Sequence, residues 1–249
     1  MGELSTNILE SLARENLFEC IVVGSRDKNK ATERINNAIL GSALEGYYPK
    51  LLAEECDPKD PLLSAKIRSI NPDFIFTAPS LLPWWKIKSE KIKLPFAAFC
   101  SLHLLPVMDF RESIFQANTK AIWINGSFPD VINPVLTRTG FGPHCGIGNI
   151  QEPIAKLKIG VAKCLNKLPN EIVISLVAQH AFEYAVINAH IPKKIPPYLL
   201  KVMVGQKDQT ELGEKILREP FPFPYDLHFN RVTASAFIQA VRALISITP

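Results

Sequence analysis

The sequence predicts a doubly wound α/β domain built on a parallel sheet, and three observations predict it. Helical and strand patterns alternate through the first half with no hairpin signal between them, so crossovers must bring successive strands in parallel. The run Phe18-Glu-Cys-Ile21-Val22-Val23-Gly24-Ser25-Arg26-Asp27-Lys28 has an apolar centre that stops at a glycine and turns at once into a hydroxyl and two cations. Small and polar residues also end the later apolar runs, at Thr77-Ala78-Pro79-Ser80, Asn125-Gly126-Ser127 and Gln179-His180. Open sheets of this kind bind ligands beyond the carboxyl ends of their strands.

Each element follows from its pattern. Gly2-Glu-Leu-Ser5 opens a helix over about residues 5–16, and the strand follows over 18–24. Lys28 to Ala43 reads as a helix, with Ala31, Ile35, Ala38 and Ile39 on one face. Leu51 to Glu54 is a short strand that breaks into the acidic turn Glu55-Cys56-Asp57-Pro58. A helix over Pro61 to Ser69 leads through Asn71-Pro72-Asp73 to the strand Phe74–Thr77. Leu104 to Asn118 is the next helix, with Pro106 placed in its first turn, where the missing N–H costs nothing. A strand over Ala121–Asn125, a helix over Pro129–Arg138 ended by Gly140, and the unusual segment Gly142–Asn149 follow. Ile154 to Leu165 is helical, Glu171 to Val177 is a strand, and Val232 to Ile245 is a closing helix. The proline-rich stretch from Pro192 to Pro224 reads as irregular. A boundary near residues 120–128 separates a nucleotide-binding half, 1–125, from a catalytic half, 126–249.

Composition narrows the class. The chain has 249 residues, 47% hydrophobic and 21% charged, enough for a sizeable core. The net charge of +4 is modest and the lysines are scattered, so no nucleic-acid stripe or membrane-binding face is expected. No apolar run approaches ~20 residues, and Glu3 and Glu10 stand where a signal peptide would carry a basic region. The five cysteines are isolated and odd in number, which suits reduced thiols in the cytoplasm. The expected partner is a small-molecule substrate, and a homodimer is left open.

The first strand end suggests what is bound. Helix, strand, then a hydroxyl and two cations is how a doubly wound domain holds the adenosine of a dinucleotide. An acidic residue there would bond a ribose 2′-hydroxyl, whereas Ser25 and Arg26 suit a 2′-phosphate. NADP is therefore the expected cofactor, against the plainer alternative of a solvated basic turn. The cofactor-binding candidates are Gly2, Ser5, Gly24, Ser25, Arg26, Thr77, Ala78, Pro79 and Ser80. One part of the Rossmann-like pattern is missing. Such a domain begins with a central strand and a Gly-x-Gly-x-x-Gly turn, while this chain starts at the turn, with Gly2 as second glycine and Ser5 in the third position. The expectation is a chain lacking its first strand; the alternative is a different small domain that begins with a helix. A chain lacking that strand should bind dinucleotide poorly and leave two strand edges unpaired. Restoring ~10 residues of strand and glycine ahead of Met1 should raise both affinity and solubility.

The third and fourth strand ends read together. Asn125-Gly-Ser-Phe-Pro-Asp130-Val-Ile-Asn-Pro, then Gly146-Ile-Gly148-Asn149, then Ala178-Gln-His180-Ala resembles the second half of lactate and malate dehydrogenases over about residues 121–185. The resemblance implies that Asn125 contacts cofactor and substrate, and that His180 exchanges a proton with the substrate oxygen. It departs where that family keeps an aspartate after the Gly-x-Gly turn: here stand Gln151 and Glu152. The family's substrate arginines have no clear match, only Arg111, Arg138 and Arg231 as candidates. The first half is similar to the NADP-binding domain of saccharopine-dehydrogenase-like reductases, through Gly24-Ser25-Arg26 and Asn71-Pro72-Asp73. Together these imply an oxidoreductase moving a hydride to or from a small carbonyl, hydroxy-acid or imine substrate. Two alternatives stand beside it. One is an inactive nucleotide-binding or regulatory remnant. The other is a metal- and NAD-dependent sugar hydrolase, which would need metal at Cys145 and His180. No metal is expected, since the adjacent pair His144-Cys145 chelates one ion poorly. His103 weighs as a packing histidine over one facing nicotinamide, and His190 and His228 as solvated. Trp84-Trp85 either roof a pocket or are simply buried.

Overall fold

The computed structural model describes residues 1–82, 98–223 and 229–247. Trp84, Trp85 and His228 lie outside them. The helices and strands run α1 (Glu3–Leu12), β1 (Ile21–Ser25), α2 (Lys28–Leu44), β2 (Leu51–Glu55), α3 (Leu63–Ile70), β3 (Phe74–Thr77), α4 (Ala98–Ala117) and β4 (Ile122–Asn125). They continue with α5 (Ile132–Arg138), β5 (Cys145–Gly146), α6 (Gln151–Leu165), β6 (Ile172–Ala178), α7 (Ala181–Val186), β7 (Tyr198–Val204), β8 (Lys207–Asp208), α8 (Thr210–Leu217) and α9 (Phe229–Ile247). They form two compact units, Met1–Ile147 with Phe237–Pro249, and Gly148–Ala236. The division of units falls at Gly148, because β5 pairs with β4 and carries Cys145 and Gly146 into the first unit. The functional halves expected from the sequence meet earlier, at 125/126.

The first unit is the expected parallel α/β layer. β1 pairs with β2 from Ile21↔Leu51 to Ser25↔Glu55, and β3 pairs with β4 from Phe74↔Ile122 to Thr77↔Asn125, both parallel. β5 adds a third strand beside β4. The two sheets stand as separate ladders, β1-β2 and β3-β4-β5. Each has its own apolar core. Leu9, Ala13, Val23, Ala31, Ile35, Ala38 and Leu51 pack helices α1 and α2 on the first. Val107, Ile114, Trp123, Ile132 and Leu136 pack α4 and α5 on the second. The helical face expected in α2 is the buried one, with Ala31, Ile35 and Ala38 nearly inaccessible.

Caps set several boundaries. The Asp27 carboxylate accepts from Asn29 N at 3.0 Å and Lys30 N at 3.2 Å, starting α2 with two of its orphan donors satisfied. Helices α3 and α6 stop at Asn71 and Asn166, both left-handed, a conformation asparagine tolerates. Pro106 corrects the sequence reading. Helix α4 begins at Ala98, so the proline is interior and not in a first turn. It cannot bond the Leu102 carbonyl, and that carbonyl accepts from Leu81 N at 3.1 Å instead. A partner from elsewhere in the chain removes the cost that the local rule assigns.

The second unit contains the other correction. The stretch read as irregular holds β7, β8 and α8. Strand β7 pairs antiparallel with β6 along seven residue pairs, from Ile172↔Val204 to Ala178↔Tyr198. Gly205, at φ +57°, makes the tight return into β8. The prolines flank these elements and do not interrupt them. Leu157, Val161, Ile172, Phe182, Val186, Val202, Ile216 and Leu217 form the core of this unit. Among the described residues no helix is long and apolar enough to cross a membrane.

Candidate active site

The end of β1 is a cationic corner. Ser25 is buried, and its hydroxyl accepts from the Met1 amine and from Asp27 N, both at 3.3 Å. Gly2 is the N-cap of α1 and Ser5 lies in its first turn, so the start of that helix meets the end of β1. The Met1 amine is held below its ordinary value, first by burial and then by the charges of Arg26, Lys30 and Arg34. Sequence reasoning found Arg26 and Lys28 but missed Lys30 and Arg34. The helical spacing of Lys30 and Arg34 just after Arg26 could have shown them, since residues four apart share a face. Arg34 also approaches Glu3 at 4.0 Å. Arg26 is exposed, and so is Gly24, where a Cβ would lie 2.9 Å from Cys56 Sγ.

The ends of β3 and β4 form a second polar group in the same unit. Thr77 is buried, and its hydroxyl accepts from Trp123 Nε1 at 2.8 Å. Ala78 and Pro79 are half-buried and Ser80 is exposed. The Pro79 carbonyl accepts from Ser127 Oγ at 3.0 Å, tying the β3 end to the β4 end. Asn125 is buried. Its Nδ2 donates to Asn133 Oδ1 at 2.8 Å, and its Oδ1 accepts from Ser127 N at 3.2 Å. The amide plane is thereby fixed while one N–H and one lone pair remain for other partners. Gly126 is packed so closely by Ile147 and Phe76 that a Cβ would sit 2.5 and 2.8 Å from them.

Several other candidates have structural jobs. His144 Nδ1 accepts from Trp123 N at 2.9 Å, while His144 N donates to Trp123 O at 2.8 Å, so this histidine continues the β4 ladder. Burial raises the Cys145 thiol above its ordinary value. Among the described residues no three His, Cys, Asp or Glu side chains are grouped to hold a metal. His103 is buried on α4, edge-on to Phe128 with ring centroids 6.2 Å apart. Arg111 donates to the carbonyls of Phe141 at 2.7 Å and Thr139 at 3.0 Å, a use that closes the loop after α5. Arg138 and Arg231 are exposed. The backbone N–H of His190, an exposed residue, bonds Asn188 Oδ1.

In the second unit, His180 is the N-cap residue of α7 and is half-buried at the end of β6. The buried polar groups around the neighbouring helices were not read from the sequence. Gln151 opens α6, and Glu152 beside it is buried, as is Glu183 on α7. The Glu152 carboxyl is raised well above the ordinary glutamate range, first by burial and then by the charge of Glu183. Among the described residues neither Glu152 oxygen has a hydrogen bond of ordinary geometry, although the Glu183 carboxyl and Thr233 hydroxyl act on it. One turn along α6, buried Lys156 donates to the carbonyls of Val186, Leu217 and Glu219 at 2.7, 3.0 and 2.7 Å. Burial lowers its ammonium to about 8, with Glu219 opposing.

No protein-family model matches the sequence, and no curated protein matches it. Solved structures do. The chain is similar to malate dehydrogenase from Picrophilus torridus at 11% identity and a TM-score of 0.63, over 98% of this chain and 73% of that one. It is similar to malate dehydrogenase from Aeropyrum pernix at 13% identity and a TM-score of 0.62, over 97% and 74%. A lactate dehydrogenase of Eimeria maxima, solved with NADH and oxamate, matches at 13% identity and a TM-score of 0.58, over 98% and 65%. The likeness runs through both halves, including the first, where the sequence resembled saccharopine-dehydrogenase-like reductases. It shows the fold: a Rossmann-like α/β domain of the lactate and malate dehydrogenase type.

Proposed function

We propose that this chain is an NADP-dependent oxidoreductase that moves a hydride between the cofactor and a small carbonyl, hydroxy-acid or imine substrate. The observation that carries this reading is the corner where Ser25, Arg26, Lys30 and Arg34 gather beside the start of α1. Its donors fit the group: a buried hydroxyl and several cations suit a 2′-phosphate, and a helix N-terminus suits a pyrophosphate. NADP supplies the hydride or accepts it. Residues 1–125 would bind the cofactor and 126–249 the substrate, in the cytoplasm, with a homodimer left open.

The chain's own groups would do the rest. Asn125, its amide plane fixed by Asn133 and Ser127, is suited to orient a carbonyl or the nicotinamide amide. His180 would donate a proton as negative charge develops on the substrate oxygen, and take it back in reverse. Thr77 to Ser80 would line the approach to the backbone beyond β3. Calorimetric titration with NADPH and NADH tests the cofactor. Losing a charge-assisted phosphate contact costs about 1.5–3 kcal/mol, so Arg26→Ala should weaken NADPH by roughly ten- to a hundredfold and leave NADH nearly unchanged. Equal loss for both nucleotides would remove Arg26 from this role.

A further inference from the structure

The second unit buries two carboxyls beside each other. Glu152 stands in the first turn of α6 and Glu183 in the first turn of α7, and each is 5% exposed. Thr233 of α9 is buried with them, and its hydroxyl acts on Glu152. Asn230, buried three residues earlier on the same face of that helix, has an Nδ2 with no bond among the described residues. Helix α7 has six residues, Ala181–Val186. A helix that short does not stand by itself in water, so the grip of its side chains decides whether it stays. Phe182, Glu183, Ala185 and Val186 supply that grip. Glu183 also joins the helix to its head: Glu183 N donates to His180 O at 3.2 Å, and Ile187 N donates to Glu183 O at 2.9 Å.

Among the described residues no cation balances the two carboxyls. Lys156, one turn along α6, has its three N–H groups committed to the carbonyls of Val186, Leu217 and Glu219. Strand β6, packed on α6, carries no ionisable side chain. On α8, Glu214 accepts from the Tyr198 hydroxyl, and Glu211 and Lys215 are exposed. On α7, His180 is the N-cap residue and Tyr184 is exposed; on α9, Arg231 is exposed. Asn230 can offer an N–H but no charge. Two carboxylates in a dry site repel each other and lose their hydration. A single proton removes most of both costs, because the protonated carboxyl donates to the ionised one and the pair then carries one charge.

We propose that Glu152 and Glu183 hold one proton between them, and that this proton latches α7, with His180 at its head, onto α6. Loss of the proton to solvent at alkaline pH sets two anions side by side and releases α7. The pair acts on the position of α7 and takes no part in the chemistry. This inference does not depend on the proposed redox reaction.

The test uses the full chain without nucleotide or substrate, with its glutamate carboxyl carbons isotopically labelled for NMR titration. At neutral pH one carboxyl of the pair should still carry its proton. Glu183→Gln should lower the midpoint of Glu152 by about one unit or more, since it removes the like charge. Amide hydrogen exchange, corrected for the intrinsic effect of pH, reads the latch. Protection of Ala185, Val186 and Ile187 should fall about tenfold as the pair loses its proton. In the double variant Glu152→Gln with Glu183→Gln, protection should stay constant over the same range. Both carboxyls titrating near the ordinary value of 4.5 would overturn the shared proton. Protection of α7 that does not follow the titration would overturn the latch. Both measurements on the unaltered chain decide the matter even where a variant fails to fold.

Discussion

At the residue scale, His180 and Glu152 make opposite demands on their surroundings. In the proposed reaction His180 would pass a proton to and from the substrate oxygen, and its half-buried place at the end of β6 leaves the ring within reach of solvent. With a panel of small 2-keto acids and NADPH, His180→Asn should lower turnover by about 10²–10⁴-fold while cofactor affinity stays close to normal. Full turnover in the variant would take His180 out of the reaction and promote His103. Glu152 is a buried carboxyl with a raised pKa, so the folded state binds its proton more tightly than the unfolded chain does. Its stabilising contribution is complete below the ordinary value of 4.5 and is lost as pH rises through the higher folded value. Glu152→Gln keeps the shape and removes the ionisation. Thermal melts should show the variant gaining on the native chain between pH 5 and 8, from near equality at the acid end; parallel melting curves across that range would rule the explanation out.

At the scale of elements, close helix approach holds the second unit together. Helix α6 presents Gly160 to Ile216 of α8, where a Cβ would lie 2.6 Å from Ile216 Cγ2. A Cβ on Gly213 of α8 would likewise lie 2.6 Å from Val202 Cγ2 of β7. Overfilling a packed contact costs about 1–3 kcal/mol, partly offset by alanine's better helix propensity. Gly160→Ala should therefore lower the urea midpoint of this unit, with the m-value unchanged. A midpoint that rises would mean that Ile216 simply turns aside. Lys156 supports the same contact by placing its ammonium among the carbonyls at the ends of α7 and α8.

At the scale of the whole molecule, ends distant in sequence are joined within the first unit. Arg242 near the end of α9 pairs with Glu15 after α1, with oxygens 2.5 and 2.6 Å from Nη2. The pair is half-exposed and adds little energy by itself. Cofactor should add far more. A ligand at ~100 times its Kd stabilises by about 2.7 kcal/mol, which corresponds to an upward shift of roughly 5–10 °C in Tm for a chain of this size. Scanning calorimetry with NADPH should show that shift. Its absence with both nucleotides would remove dinucleotide binding from the proposed function.

The sequence by itself determined the alternation of helices and parallel strands, because each element's apolar period is local and each is punctuated by its own glycine, proline or asparagine. It also placed the polar strand ends, since the residues after an apolar run must stand at its carboxyl end. It did not reveal β7, β8 and α8. Their prolines looked like breakers, and only the pairing of β7 along β6 shows that they lie outside the ladder. Nor did it show Pro106 inside α4, where Leu81 supplies the donor the proline lacks. Lys30 and Arg34 were legible in their four-residue spacing, but only the turn of the chain at Asp27 brought that face of α2 beside the start of α1. The burial of Glu152, Glu183 and Lys156 was not legible either, because burial is a property of what packs over a residue and no residue carries that in its own name.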